Sequence, residues 1–415
     1  MSNILLVALV ALTLGCLFRG LVDTRRIFEL PFLAGLIVAS FVLPQAISLL
    51  YAPFLPVGAY DKTIFMTLLC FLFLLVGWQI ARRPIDLLRA DLSERRLMEV
   101  ATVFSLIGAY FYYKLGQIPG EAIVGVQISG APVKYLFFAR LMTYGLTIAC
   151  LCFARRPTKW MLAVIAIDTM FYLDRIVVTG KRAEAAELFM IFALAFWFQR
   201  GRKMSRMLLI GAVAVAVLGT ASMSEYRNVT RANSGPEMSQ IYKIDFVGNL
   251  TESFQDGGHE LRYAMILIDH IDATSRFDYG SIHWNNLVWN YVPSRFVGAD
   301  VKQELMVSTP GVPRDFQPAT GSTMTGMSDA FQSFWYLGAL KFFLLAYILR
   351  RIWNSAQRGD TLGQFVYILS VVPAMHAFSH QTDWVLSGWV HMLVFCTPVF
   401  AYALARPTTR HVQEA

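Results

Sequence analysis

What this sequence lacks is charge. Only 15% of its 415 residues are charged while 56% are hydrophobic, and the apolar residues come in blocks of about 18 to 25, the length that crosses a hydrocarbon core. A soluble two-domain enzyme is excluded by that pattern. Cysteine is scarce as well: Cys16, Cys70, Cys150, Cys152 and Cys396 all fall inside apolar blocks, which excludes a disulfide framework and a Cys-based zinc site. The alternating pattern of barrel strands is missing. Since every backbone polar group in lipid must pair locally, the spans are expected to be helices. The first apolar block, 4–18, has no basic flank and no Ala-x-Ala site, so it reads as a retained span rather than a signal peptide. Internal repeats, low-complexity runs and an inverted pair of broken helices are also absent.

What is present fits an all-α polytopic membrane protein of about eleven transmembrane helices. The expected spans are 4–18, 28–50, 63–81, 97–115, 135–154, 160–178, 184–199, 206–222, 331–350, 362–380 and 384–404. They divide the chain into helices one to eight (1–222), a long polar loop (223–330), and helices nine to eleven with a short tail (331–415). The net charge of +8 is mostly loop lysine and arginine. It lies in alternate connections, "RGLVDTRR", "RRPIDLLRADLSERR", "RRPTK", "RGRKMSR", "RRIWNSAQRGD" and "RPTTRH", so it reports topology rather than a nucleic-acid partner. By the positive-inside bias these connections are cytoplasmic, which puts the N-terminus and the 223–330 loop outside and the C-terminus inside. So long a loop is expected to fold as a cap. Within it "HELRYAMILIDHI" reads as an amphipathic helix: His259, Arg262, Asp269 and His270 share an arc of about 120°, opposite Leu261, Ala264, Leu267, Ile268 and Ile271.

Basic residues on the outward side run against the charge bias and need another reason. At "YLDRIVVTGKRAEAAELF", Asp174, Arg175, Lys181 and Arg182 gather where a helix begins after Gly180, a natural seat for phosphate. In "MSEYRNVTRANSG", Arg227 and Arg231 are four apart and share one helical face. Arg262 lies beside His259 on the amphipathic helix, and "SRFDYGSIHWNNLVWNYVPSRF" adds Arg276, His283 and Arg295, with aromatic residues that either stack on sugars or line the membrane interface. In "MHAFSHQTDWVLSGWVH", His376, His380 and Asp383 have the spacing of metal ligands, but the His-Glu-x-x-His arrangement is missing and no metal is expected. Arg140, Asp168 and Lys341 fall within spans and should face the bundle interior.

At "YGSIHWNNLVWNYVPSR" the chain resembles the Wzy-type O-antigen polymerases, the oligosaccharide repeat-unit polymerases. The likeness rests on Gly280 through Pro293, Ser294 and Arg295, on the glycine- and threonine-rich run "TGSTMTGMSDAFQSFWYLG" with Asp329 where relatives carry Glu, and on the "TGKRAE" turn with Gly180 and Arg182. "SFWYLG" stands where Asn-Phe-Gly is common. The resemblance implies a C-type glycosyltransferase bundle in a bacterial inner membrane. Its donor and acceptor would both be undecaprenyl-diphosphate-linked glycans, its surroundings membrane lipid, and a polysaccharide chain-length regulator a further partner. No cofactor is implied. Arg175, Lys181, Arg182, Arg227, Arg231, Arg262 and Arg295 would hold the diphosphate and stabilise the charge that develops as the glycosidic bond breaks. His259, Asp329 and Glu252 are the candidates for the base that activates the acceptor hydroxyl. Tyr279, Trp284, Trp289, His376, His380 and Asp383 would border the sugar. An O-antigen ligase that delivers a finished glycan, and a flippase for lipid-linked sugars, are the two alternatives. The concentration of polar residues in one outward loop weighs against the flippase.

Overall fold

The computed structural model describes residues 1–118, 131–179, 182–201, 243–255, 258–292, 294–310 and 324–404, with isolated positions between 207 and 229. Among the described residues the chain is all-helical, and seven helices are long and apolar enough to cross a membrane. Those seven are Ser2–Val22 (α1), Leu30–Ser48 (α2), Ala59–Ile80 (α3), Pro132–Arg155 (α5), Gly326–Gln357, Thr361–Phe378 and Asp383–Ala403. Helices α4 (Glu94–Gly116), α6 (Lys159–Thr179) and α7 (Arg182–Arg200) pack beside them. The expected eighth span, 206–222, lies outside the described residues apart from isolated positions.

Two of the long helices are interrupted where the site lies. Helix α5 breaks at Arg140, between Ala131–Ala139 and Leu141–Arg155. The segment Gly326–Gln357 divides into α13 (Gly326–Phe334), a 3₁₀ turn (Trp335–Ala339) and α14 (Leu340–Gln357). The division has a local cause. A Cβ on Gly326 would stand 1.9 Å from the Ala377 carbonyl oxygen, and one on Gly338 would stand 1.8 Å from that of Ala330. Trp335 between them takes φ of 52°, a left-handed value that costs a bulky residue about 1–2 kcal/mol and that the surrounding packing must outweigh. The short α13 is thereby folded into the bundle, with Gly326 through Ser333 all buried.

The basic connections converge at one end. Arg350 pairs with Glu29 at 3.2 Å, Arg351 donates to the carbonyls of Arg83 and Pro84, and Arg96 donates to those of Tyr402 and Leu404. Arg200 donates to the Ala154 carbonyl, and Arg155 to Thr361. The opposite end is covered by helices from the long loop: α8 (Phe246–Gln255), α9 (His259–Thr274), α10 (Ser281–Tyr291), α11 (Ser294–Val297) and α12 (Ala299–Glu304). Helix α9 buries Leu261, Ala264, Leu267, Ile268 and Ile271, the apolar face its periodicity predicts, against α3 and α13. Beside that packed face Asp269 and Asp272 both bind Lys62 of α3, at 2.9 and 2.6 Å. The last two long helices are α15 (Thr361–Met375) and α16 (Asp383–Ala403).

A polar cavity beneath helix α10

A cavity of about 460 Å³ opens at the end away from the basic connections. Its walls come from α4 to α7 on one side and from α10, α15 and α16 on the other. Arg140, Arg175, Glu184, Glu187 and Asp383 supply charge, Tyr112, Tyr172 and Trp384 supply aromatic faces, and His376, Asn290, Thr143 and Ser387 supply further polar atoms. Arg175 donates to Glu184 and to the Tyr112 hydroxyl, and lies over the Tyr112 ring at 4.5 Å. Glu187 accepts from the Tyr172 hydroxyl at 2.8 Å. Among the described residues the Arg140 guanidinium has neither an ion pair nor a hydrogen-bond partner; its Nη2 lies 3.3 Å from where a Cβ on Gly388 would stand. The break in α5 puts this cation on the cavity wall, and burial beside the Glu187 carboxylate is compatible with its charge.

Helix α10 roofs the cavity at Asn290 and reaches the lining residue Asp383 through Asn286. His283, Asn286 and Asn290 recur at spacings of three and four, one stripe of a helix. His283 Nε2 meets Thr382 Oγ1 at 3.1 Å, Asn286 Nδ2 donates to Asp383 Oδ2 at 2.7 Å, and Asn290 lines the cavity. Tyr291 donates to the Ser387 carbonyl at 2.6 Å. Burial raises the Tyr291 phenol above the ordinary tyrosine range, although the Ser387 hydroxyl nearby works the other way. Asp383 Oδ1 is buried and without a hydrogen-bond partner among the described residues.

Asp329 stands in a second network under the same roof. Its Oδ1 accepts from Lys341 at 3.1 Å, and its Oδ2 accepts from the Thr382 amide at 3.0 Å and the Thr382 hydroxyl at 2.6 Å. An ammonium has three donors, and those of Lys341 go to Asp329, to Ser333 Oγ at 2.7 Å and to His283 Nε2 at 2.9 Å. With its side chain 3% exposed and both oxygens engaged, Asp329 is an anchor between α13, α14 and α16, and a poor base for a substrate hydroxyl.

The residues expected from the sequence to act together are therefore distributed. Arg175, His376 and Asp383 line the cavity. Arg262, in the first turn of α9, stacks over Phe54 at 4.5 Å, and Arg295 is exposed on α11; neither lines the cavity. His259 is exposed at the first residue of α9. Trp284 donates to the Leu305 carbonyl and Trp289 lies under Lys302, so both face α12 and its following turn instead of the cavity. Tyr279 is exposed beside Phe277 and Phe334. His380 stacks on Trp384 at 4.4 Å, while His376 Nδ1 donates to the Val372 carbonyl and meets His380 edge to face. The two imidazoles are thus turned to different partners and do not converge with Asp383 on one point. Lys181, Arg227 and Arg231 lie outside the described residues, as do the side chains of Arg182 and Glu252. Among the in-span charges, Arg140 and Lys341 face the interior as expected, and Asp168 is buried with Ser105 donating to it at 2.6 Å. Glu184, Glu187, Tyr172 and Asn286 carry no expectation from the sequence, and Arg140 only that of facing the interior. The signal for Arg140 was its position within an apolar span, and for Asn286 and Asn290 their helical stripe with His283.

Compared with family profiles, curated proteins and solved structures, the chain finds no match.

Proposed function

We propose that this protein is a glycosyltransferase of eleven spans with a C-type bundle, which polymerises undecaprenyl-diphosphate-linked oligosaccharide repeat units at the outer face of a bacterial inner membrane. The growing glycan passes from its lipid diphosphate to a sugar hydroxyl of a new lipid-linked unit, with inversion. The observation that carries this reading is the position and lining of the cavity: it lies at the end opposite the basic connections and combines arginine with carboxylates, amide and aromatic faces. The positive-inside bias makes that end periplasmic, where lipid-linked glycans are presented. Diphosphate calls for fixed cations, and Arg140 and Arg175 both line the cavity. A glycan calls for aromatic faces and paired polar groups, which Tyr112, Tyr172, Trp384, Asn290 and Ser387 provide.

The test uses purified protein in detergent with lipid-linked repeat units as the only substrate. No membrane barrier exists there, so a polymerase produces a ladder of longer lipid-linked glycans and a flippase produces none. A glycan that moves only onto a lipid A core, never onto a second repeat unit, identifies a ligase instead.

A further inference from the structure

Resting on the reading above, we infer that Asp383 is the base that accepts the proton of the acceptor hydroxyl, and that Asn286 is the residue that positions it. Asp383 differs from the other carboxylates in its partners, which leave its charge unneutralised by an ion pair among the described residues. Asp329 has both oxygens occupied by Lys341 and Thr382. Glu184 is held by Arg175, and Glu187 accepts from Tyr172. Asp383 has one oxygen fixed, Oδ2 by Asn286 at 2.7 Å, and the other, Oδ1, buried and unpartnered among the described residues on a side chain that lines the cavity. A carboxylate held by one oxygen and open at the other is oriented to take a proton from a hydroxyl placed in the cavity.

The placement of Arg140 completes the geometry. Its Nη2 approaches α16 at Gly388, five residues beyond Asp383, which is about 7.5 Å along a helix axis. Cation and base therefore stand on facing walls of the cavity, at two levels along α16. In the step itself the hydroxyl proton passes to Asp383 Oδ1 while the hydroxyl oxygen forms its new bond to the anomeric carbon of the donor. The bond from that carbon to the phosphate oxygen breaks, and its electron pair leaves with the lipid diphosphate, which Arg140 stabilises. Asp383 then returns its proton to water. Displacement from the side opposite the leaving group inverts the anomeric centre.

Asp383→Asn keeps the shape and the hydrogen bond to Asn286 but cannot take the proton. In the detergent assay it is expected to lose about 100-fold or more in single-turnover rate, with binding of the lipid-linked donor unchanged. Asp383→Glu, which keeps a carboxylate, is expected to retain polymerisation well above the Asn variant. Asn286→Ala is expected to lower the rate with unaltered KM and to shift the acid limb of the pH profile, an effect that a merely structural contact would not have. An Asp383→Asn protein that elongates glycans at the wild-type rate overturns the inference and leaves the polymerase reading standing. So does a well-folded Asp383→Glu protein no faster than the Asn variant. A wild-type protein that makes no ladder overturns both.

Discussion

Replacing Lys341 with methionine should expose how much of the fold hangs on one buried ion pair. The side chains of Asp329 and Lys341 are 3% and 17% exposed and stand 3.1 Å apart. At that separation and an effective dielectric constant of about 20, the attraction is about 5 kcal/mol before desolvation is counted. Removing the cation leaves the Asp329 carboxylate with the Thr382 amide and hydroxyl as partners and no opposite charge. It also strips Ser333 and His283 Nε2 of their shared donor. The expected destabilisation is about 3–5 kcal/mol. At roughly 2 °C per kcal/mol for a large chain, the apparent Tm in detergent should fall by roughly 6–10 °C. Adding Asp329→Asn to Lys341→Met removes the stranded charge and should restore more than half of the loss. The assay is thermal unfolding of the two single variants and the double variant in one detergent, read as a double-mutant cycle. A Lys341→Met protein that melts with the wild type, or a double variant whose loss equals the sum of the single losses, would refute the reasoning.

Other consequences are equally direct. Gly326→Ala drives a Cβ into the Ala377 carbonyl oxygen, a backbone atom that cannot swing away; overpacking of this kind costs about 1–3 kcal/mol, visible as a lower apparent Tm. Arg140→Ala should cost about 100-fold or more in polymerisation rate, whereas Arg295→Ala, exposed on α11, should leave the glycan ladder unchanged; equal losses from both would argue against the cavity as the diphosphate site. Tyr291 has a folded pKa raised by burial, so its contribution to stability is complete below the ordinary tyrosine pKa of about 10 and is lost as pH rises through the higher folded value. Thermal unfolding of wild type above pH 10 should therefore weaken more steeply with pH than that of Tyr291→Phe.

Much of the fold could be read from hydropathy and charge alone. Six basic connections in one phase predicted which helix ends meet, and the structure joins those it describes through Arg96, Arg155, Arg200, Arg350 and Arg351. The apolar face of α9 followed from its period. The site was less legible, because helical spacing says which residues share a face but not which neighbour that face meets. Asp329 looks like a free acid in sequence, and only the turn at Trp335 brings Lys341 back onto it. Arg262 and Arg175 read alike as outward cations, yet one stacks on Phe54 while the other lines the cavity. Trp284 and Trp289 carry the composition of a sugar platform, yet from α10 it is Asn290 that lines the cavity, with Asn286 bonded to the lining residue Asp383.

The most direct test is to image the protein with a non-hydrolysable lipid-diphosphate glycan bound. The account predicts diphosphate density against Arg140 and Arg175 and sugar density under α10, beside Asp383. Density for the diphosphate at the end where Arg350 meets Glu29, or a cavity left empty while the analogue binds elsewhere, would contradict it.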